Sequence, residues 1–124
     1  MRQVRALVVD DDPLFTKLLA SWLETKQVEV ITASSAEVAL AMIRSQALDV
    51  LITDLTMEGL GGSGLIRALI SGQLFPVDRI IVITGESQST QDSGWLTEQN
   101  IPILRKPFSL KSLQQMVDLV LQRF

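Results

Sequence analysis

The sequence predicts a doubly wound α/β fold, a parallel sheet with helices on both faces. Three observations carry it. Short apolar runs alternate with longer amphipathic stretches, five of each. The fourth run, Arg79 to Thr84, is apolar at consecutive positions, as a central parallel strand buried on both faces should be. Connections are short, and no linker, repeat or low-complexity stretch divides the 124 residues. One domain spanning 1–124 is therefore expected, long enough to bury a core.

The elements follow in order. VRALVV (Val4 to Val9) reads as a buried strand. PLFTKLLASWLETK reads as a helix, with Leu14, Phe15, Leu18, Leu19, Trp22 and Leu23 on one stripe. Asp12 suits its N-cap, and Pro13 suits the first helical position. VEVITA (Val28 to Ala33) is a second strand, and SAEVALAMIRSQ a helix capped by Ser34 or Ser35. DVLITD (Asp49 to Asp54) is a third strand, followed by the short helix SGLIRALISG, ended by Gly72. After the fourth strand, STQDSGWLTEQN is a weak helix, polar and interrupted by Gly94. IPILRK is a fifth strand whose Pro102 suits a sheet edge. SLKSLQQMVDLVLQRF closes the chain as a helix, with Leu110, Leu113, Met116, Val117, Val120 and Leu121 on one face.

Composition narrows the chemistry. The chain has no Cys and no His. Disulfides, zinc clusters, thiol nucleophiles, Ser-His-Asp catalysis and imidazole acid–base work are excluded. A metal must be held by oxygen, which favours Mg2+, Mn2+ or Ca2+. A net charge of −3 makes the domain a poor binder of nucleic acid. No apolar run approaches a membrane span, and MRQVRALVVDDD turns acidic too soon for a signal peptide, so a cytoplasmic protein is expected.

In such sheets the ligand crevice lies at the carboxyl ends of the strands. Asp10 and Asp11 follow the first strand, Asp54 ends the third, Thr84 the fourth and Lys106 the fifth. Three carboxylates, a hydroxyl and an ammonium on one rim make up a Mg2+ and phosphoryl site. The carboxylates hold the cation; the hydroxyl and the lysine neutralise phosphoryl oxygens. GLGGSG (Gly59 to Gly64) matches a dinucleotide fingerprint, but its glycines start five residues past the strand end. They are better read as loop freedom and tight packing at a helix start.

VVDDDP, DVLITDLTMEGLGGSGL, IIVITGES and ILRKPF, in this order and at these strand ends, resemble the receiver domain of two-component response regulators. IPILRKPFSL resembles the end of receivers fused to sensor histidine kinases, so a hybrid-kinase receiver is one form the resemblance allows. The resemblance implies a flavodoxin-like sheet of order 2-1-3-4-5 with five flanking helices. It implies that Asp54 is the phosphoacceptor and that Asp11 binds Mg2+ (or Mn2+) directly. Asp10 would bind through water, and Thr56 through its backbone carbonyl. Thr84 and Lys106 would each hold a phosphoryl oxygen. The phosphoryl donor would be a sensor histidine kinase or a histidine phosphotransfer protein. The signal would leave through the face of the fourth helix, fifth strand and fifth helix, with a homodimer as one further partner. Such a domain is not an enzyme with a turnover substrate; it catalyses only its own phosphorylation and dephosphorylation. The chain departs from the family at Met57-Glu58-Gly59, where proline is common, and at Ile103, where many receivers carry an aromatic switch residue. A phosphorylation-independent interaction module is an alternative. So is a small Mg2+ phosphatase, although Thr56 stands where such an enzyme keeps its second aspartate.

Overall fold

Each apolar run forms a strand and each amphipathic stretch a helix. The order is β1 (Arg5–Val9), α1 (Pro13–Thr25), β2 (Glu29–Ala33), α2 (Ala36–Ser45), β3 (Val50–Asp54), α3 (Gly61–Ser71), β4 (Ile80–Thr84), α4 (Thr90–Glu98), β5 (Ile103–Arg105) and α5 (Leu110–Leu121). A 3-10 turn at Val77–Arg79 leads into β4. This computed structural model describes residues 3–55, 61–85, 90–105 and 109–122, with residues 90–93 described by backbone alone.

The strands form one parallel sheet of order β2-β1-β3-β4-β5, as expected. β1 lies between β2 and β3, so the chain reverses its direction of winding there, and the switch point falls at the end of β1. Alternating side chains send the sheet's two faces into two cores. Leu7, Leu51, Ile80 and Val82 pack with Ala36 and Ala39 of α2, Leu65 and Leu69 of α3, and Leu96 of α4. Val8, Ile52, Ile81 and Ile83 pack with Leu19 and Leu23 of α1 and with Leu113, Val117 and Val120 of α5. Among the described residues, no helix is long and apolar enough to cross a membrane.

Local chemistry sets the helix ends. Asp12 caps α1: one carboxylate oxygen accepts from Leu14 N at 3.0 Å and Phe15 N at 3.4 Å. Ser35, not Ser34, caps α2, accepting from Val38 N at 3.2 Å. Helices α1, α3 and α4 each end in a left-handed residue, Gln27 (φ 63°), Gln73 (φ 53°) and Asn100 (φ 61°). The next amide reaches back each time: Val28 to Leu23 O, Leu74 to Leu69 O, and Ile101 to Leu96 O.

Several expectations are corrected. Leu14 is 79% exposed and Leu18 60% exposed, so the buried stripe of α1 is Leu19 and Leu23, flanked by Phe15 and Trp22. A helix on a sheet buries one narrow face, and Leu14 and Leu18 lie off it. Leu110 is likewise exposed at the start of α5. Gly72 follows the last residue of α3, as expected, and Gln73 after it takes the left-handed turn. Helix α3 begins at Gly61, two residues before Ser63. Pro102 precedes β5, and its carbonyl accepts from Val82 N at 3.0 Å. Trp22 and Trp95 pack against the two cores, each beneath a cation: Lys26 and Arg67 respectively.

Candidate phosphoryl and metal site

The site is built where apolar strands must end. Val9 of β1 pairs with Thr53 of β3, so Asp10 and Asp54 are the next residues on two adjacent strands. Asp10 is 4% exposed and Asp54 7% exposed, while Asp11 is exposed. One carboxylate oxygen from each of Asp10, Asp11 and Asp54 lies within 4.8 Å of the other two. The acidic loop has internal order. The second Asp10 neighbour along the chain, Asp12, donates its amide to Asp10 Oδ1 at 2.9 Å, and Asp10 N donates to Ala33 O of β2 at 3.2 Å.

The donor set fits a hard divalent cation. All three ligand groups are carboxylates, and the chain offers no nitrogen or sulfur ligand from His or Cys. Three anions this close repel one another, two of them with little water to screen them. A cation among them reverses that sign.

Thr84 ends β4 one position past Ile83, which pairs with Asp54. It is fully buried, and its hydroxyl donates to Gly85 O at 3.3 Å. The structure thus brings Asp10, Asp11 and Asp54 together and sets Thr84 at the end of the strand beside Asp54. Thr56 and Lys106 lie outside the described residues. Two residues near Asp54 carry no signal of function in the sequence. Thr53 Oγ1 donates to Asp54 O at 3.0 Å, and Gly62 of α3 packs against the Asp54–Leu55 backbone.

Away from this rim, α4, β5 and α5 frame an open groove of about 790 Å³, lined by Thr97, Asn100, Ile103, Arg105, Met116 and Leu119. Ile103 is half-buried in it, at the position where the resemblance leads one to expect an aromatic side chain.

An acidic cradle at the switch point of a 2-1-3-4-5 sheet, with a buried threonine closing the next strand, defines a class: small doubly wound α/β domains that gather acidic and hydroxyl groups at their strand ends. Residues 6–118 match the response regulator receiver domain family, and the chain belongs to that family. It is 31% identical over 121 residues to the heme response regulator HssR of Staphylococcus aureus (strain MRSA252), covering 98% of this chain and 53% of that protein. The chain thus spans about half the length of the curated relatives it matches. Among solved structures it resembles FixJ-N, with TM-score 0.80 and 26% identity over 100% of this chain and 98% of that one. It also resembles a response regulator receiver protein from Pseudomonas putida, with TM-score 0.82 and 26% identity over 95% of this chain and 98% of that one.

Proposed function

We propose that the domain is a phosphoacceptor switch in a two-component phosphorelay, taking a phosphoryl group from a partner phosphohistidine onto Asp54 with Mg2+ bound by Asp11, Asp54, the Thr56 carbonyl and, through water, Asp10. The observation that carries this is the convergence of Asp10, Asp11 and Asp54 at the end of β1 and β3. Bound there, Mg2+ (or Mn2+) supplies positive charge against the carboxylates and the incoming phosphoryl oxygens.

Asp54 acts as the nucleophile. One carboxylate oxygen forms a bond to phosphorus as the P–N bond to the donor imidazole breaks. The imidazole leaves with the bonding pair and takes a proton from solvent. The chain contains no His, so the donor is a different site, on a sensor histidine kinase or a histidine phosphotransfer protein. Hydrolysis of the aspartyl phosphate returns Asp54 to its starting state, which makes the cycle a switch without a turnover substrate.

The readout begins at Thr84. Its hydroxyl donates to Gly85 O, and a phosphoryl oxygen on Asp54 is a stronger acceptor. Turning Thr84 toward Asp54 opens space at the end of β4, and Lys106 holds a second phosphoryl oxygen. The α4–β5–α5 face carries the change outward. With Ile103 in place of an aromatic ring, that face responds through aliphatic packing.

The test is an intact-mass spectrum after incubation with acetyl phosphate, with and without Mg2+. The expected result is one phosphoryl adduct that requires Mg2+, maps to Asp54 and is absent from Asp54→Asn. An adduct that persists in Asp54→Asn overturns the site. A folded protein that neither binds Mg2+ nor takes a phosphoryl group, from acetyl phosphate or a phosphohistidine protein, is a phosphorylation-independent module.

A further inference from the structure

Asp54 is the last residue of β3. The ladder between β1 and β3 runs to the Val9–Thr53 pair, and that between β3 and β4 runs to the Asp54–Ile83 pair. A nucleophile needs a fixed backbone, and both ladders run out at Asp54.

Two residues that hold neither metal nor phosphoryl group add restraints there. Thr53 is fully buried, and its hydroxyl donates to the Asp54 carbonyl at 3.0 Å. Gly62, near the start of α3, lies against the same peptide. A Cβ at Gly62 would overlap Asp54 O and come within 2.7 Å of Leu55 Cα and 2.8 Å of Asp54 C. Gly62 also donates its amide to Leu55 O at 3.2 Å, and Leu55 N donates to Ile83 O at 3.0 Å. The two peptides that leave Asp54 are thus gripped at successive groups by Thr53, β4 and α3. Gly62 is not in a left-handed conformation; what the position demands is the absence of a side chain.

We propose that Thr53 and Gly62 are positioning residues for phosphoryl transfer, fixing the plane of the Asp54–Leu55 peptide and so the direction from which the Asp54 carboxylate meets phosphorus. This rests on Asp54 being the phosphoacceptor. Thr53 sets the orientation by hydrogen bonding; Gly62 lets α3 close against the carbonyl without pushing it aside. Rotating that peptide swings the carboxylate away from the line of attack. It leaves Asp10 and Asp11, carried by β1, where they are.

The experiment compares wild type, Thr53→Val, Thr53→Ser and Gly62→Ala. Three quantities are measured: the initial rate of Asp54 phosphorylation by acetyl phosphate at saturating Mg2+, the Mg2+ dissociation constant by calorimetry, and Tm. Thr53→Val keeps the volume and removes the hydroxyl. We expect it to slow phosphorylation about tenfold while Mg2+ affinity stays within about threefold, since displacements of an ångström cost up to about a hundredfold in rate. Thr53→Ser restores the hydroxyl and brings the rate back to near wild type, which a packing role for the threonine methyl would not do. Gly62→Ala is at least as slow as Thr53→Val; should it not fold, the Thr53 pair decides. The proposal is overturned by a folded Thr53→Val that phosphorylates as fast as wild type. It is equally overturned if Thr53→Ser is as slow as Thr53→Val, or if raising Mg2+ alone restores the Thr53→Val rate. A wild type that takes no phosphoryl group at Asp54 is a separate result, and it removes the underlying reading together with this one.

Discussion

Replacing Asp11 by Asn should make the protein more stable without Mg2+ and less stable with it. Asp11 lies within 4.8 Å of carboxylate oxygens on Asp10 and Asp54. At that separation two unit charges repel by ~0.9 kcal/mol in water and ~3.5 kcal/mol at an effective dielectric of about 20. Asp11 is exposed, so the water figure governs its part of the cluster. A Debye length of ~8 Å at physiological salt removes nearly half of it. Two such pairs leave about 1 kcal/mol of repulsion that Asp11→Asn relieves, which is ~4 °C in Tm for a domain of this size. Bound cation reverses the balance. At one hundred times its dissociation constant a ligand stabilises by ~2.7 kcal/mol. A variant whose affinity falls about a hundredfold keeps only ~0.4 kcal/mol of that at the same concentration. The variant therefore leads by about 1 kcal/mol in EDTA and trails by about 1 kcal/mol in Mg2+. Thermal unfolding followed by circular dichroism, at neutral pH and matched ionic strength, reads both arms. If the order of the two melting temperatures does not invert, or the variant gains as much from Mg2+ as wild type, the carboxylates are not acting together on a cation.

The other predictions separate neighbouring roles. Asp12→Ala removes the cap of α1 and should cost ~1 kcal/mol of stability while leaving Mg2+ affinity unchanged, because Asp12 spends its carboxylate on Leu14 N and Phe15 N; calorimetry and melting together check it. Arg67 lies 4.0 Å from the Trp95 ring and ties α3 to α4, so Arg67→Ala should lower stability by ~0.5–1 kcal/mol and shift Trp95 emission in a Trp22→Phe background. An unchanged spectrum would show that the stack is not populated in solution. Gln73→Gly should raise the urea midpoint, since a left-handed L-residue costs ~1–2 kcal/mol and the glycine's extra unfolded-state freedom offsets only about half of that.

Legibility varied with what the pattern encodes. Strands β1, β3 and β4 are mostly apolar runs because helices cover both sheet faces, and that burial is written in composition. The polar residues at or just past their ends were equally legible, since the rim of such a sheet is where polar groups face the ligand crevice. Leu14 and Leu18 misled because helical periodicity marks a stripe but not its width; six apolar positions on α1 exceed what one side of a sheet can cover. The left-handed turns at Gln27 and Gln73 were hidden because no residue type announces them when glycine is absent. Thr53 was hidden differently. Within an apolar strand a threonine reads as a β-branched filler, and its partner is a backbone carbonyl that sequence cannot point to.

The convergence of the acids depends on register more than on the acids themselves. Asp10 and Asp54 lie far apart in the chain, and either alone is an ordinary strand terminus. They meet because β1 and β3 are neighbours and pair Val9 with Thr53, so Asp10, just past the end of β1, and Asp54, the last residue of β3, stand at the same level of the sheet. Adjacent strands stand ~4.8 Å apart, which is the spacing at which side chains from two of them can share one cation. Sliding β3 by one residue would turn Asp54 to the opposite face, away from Asp10, and would carry Leu51 and Ile52 into each other's cores. The apolar alternation that packs Leu51 against α3 and Ile52 against α1 therefore also holds the carboxylates together. The core fixes the register, and the register assembles the site.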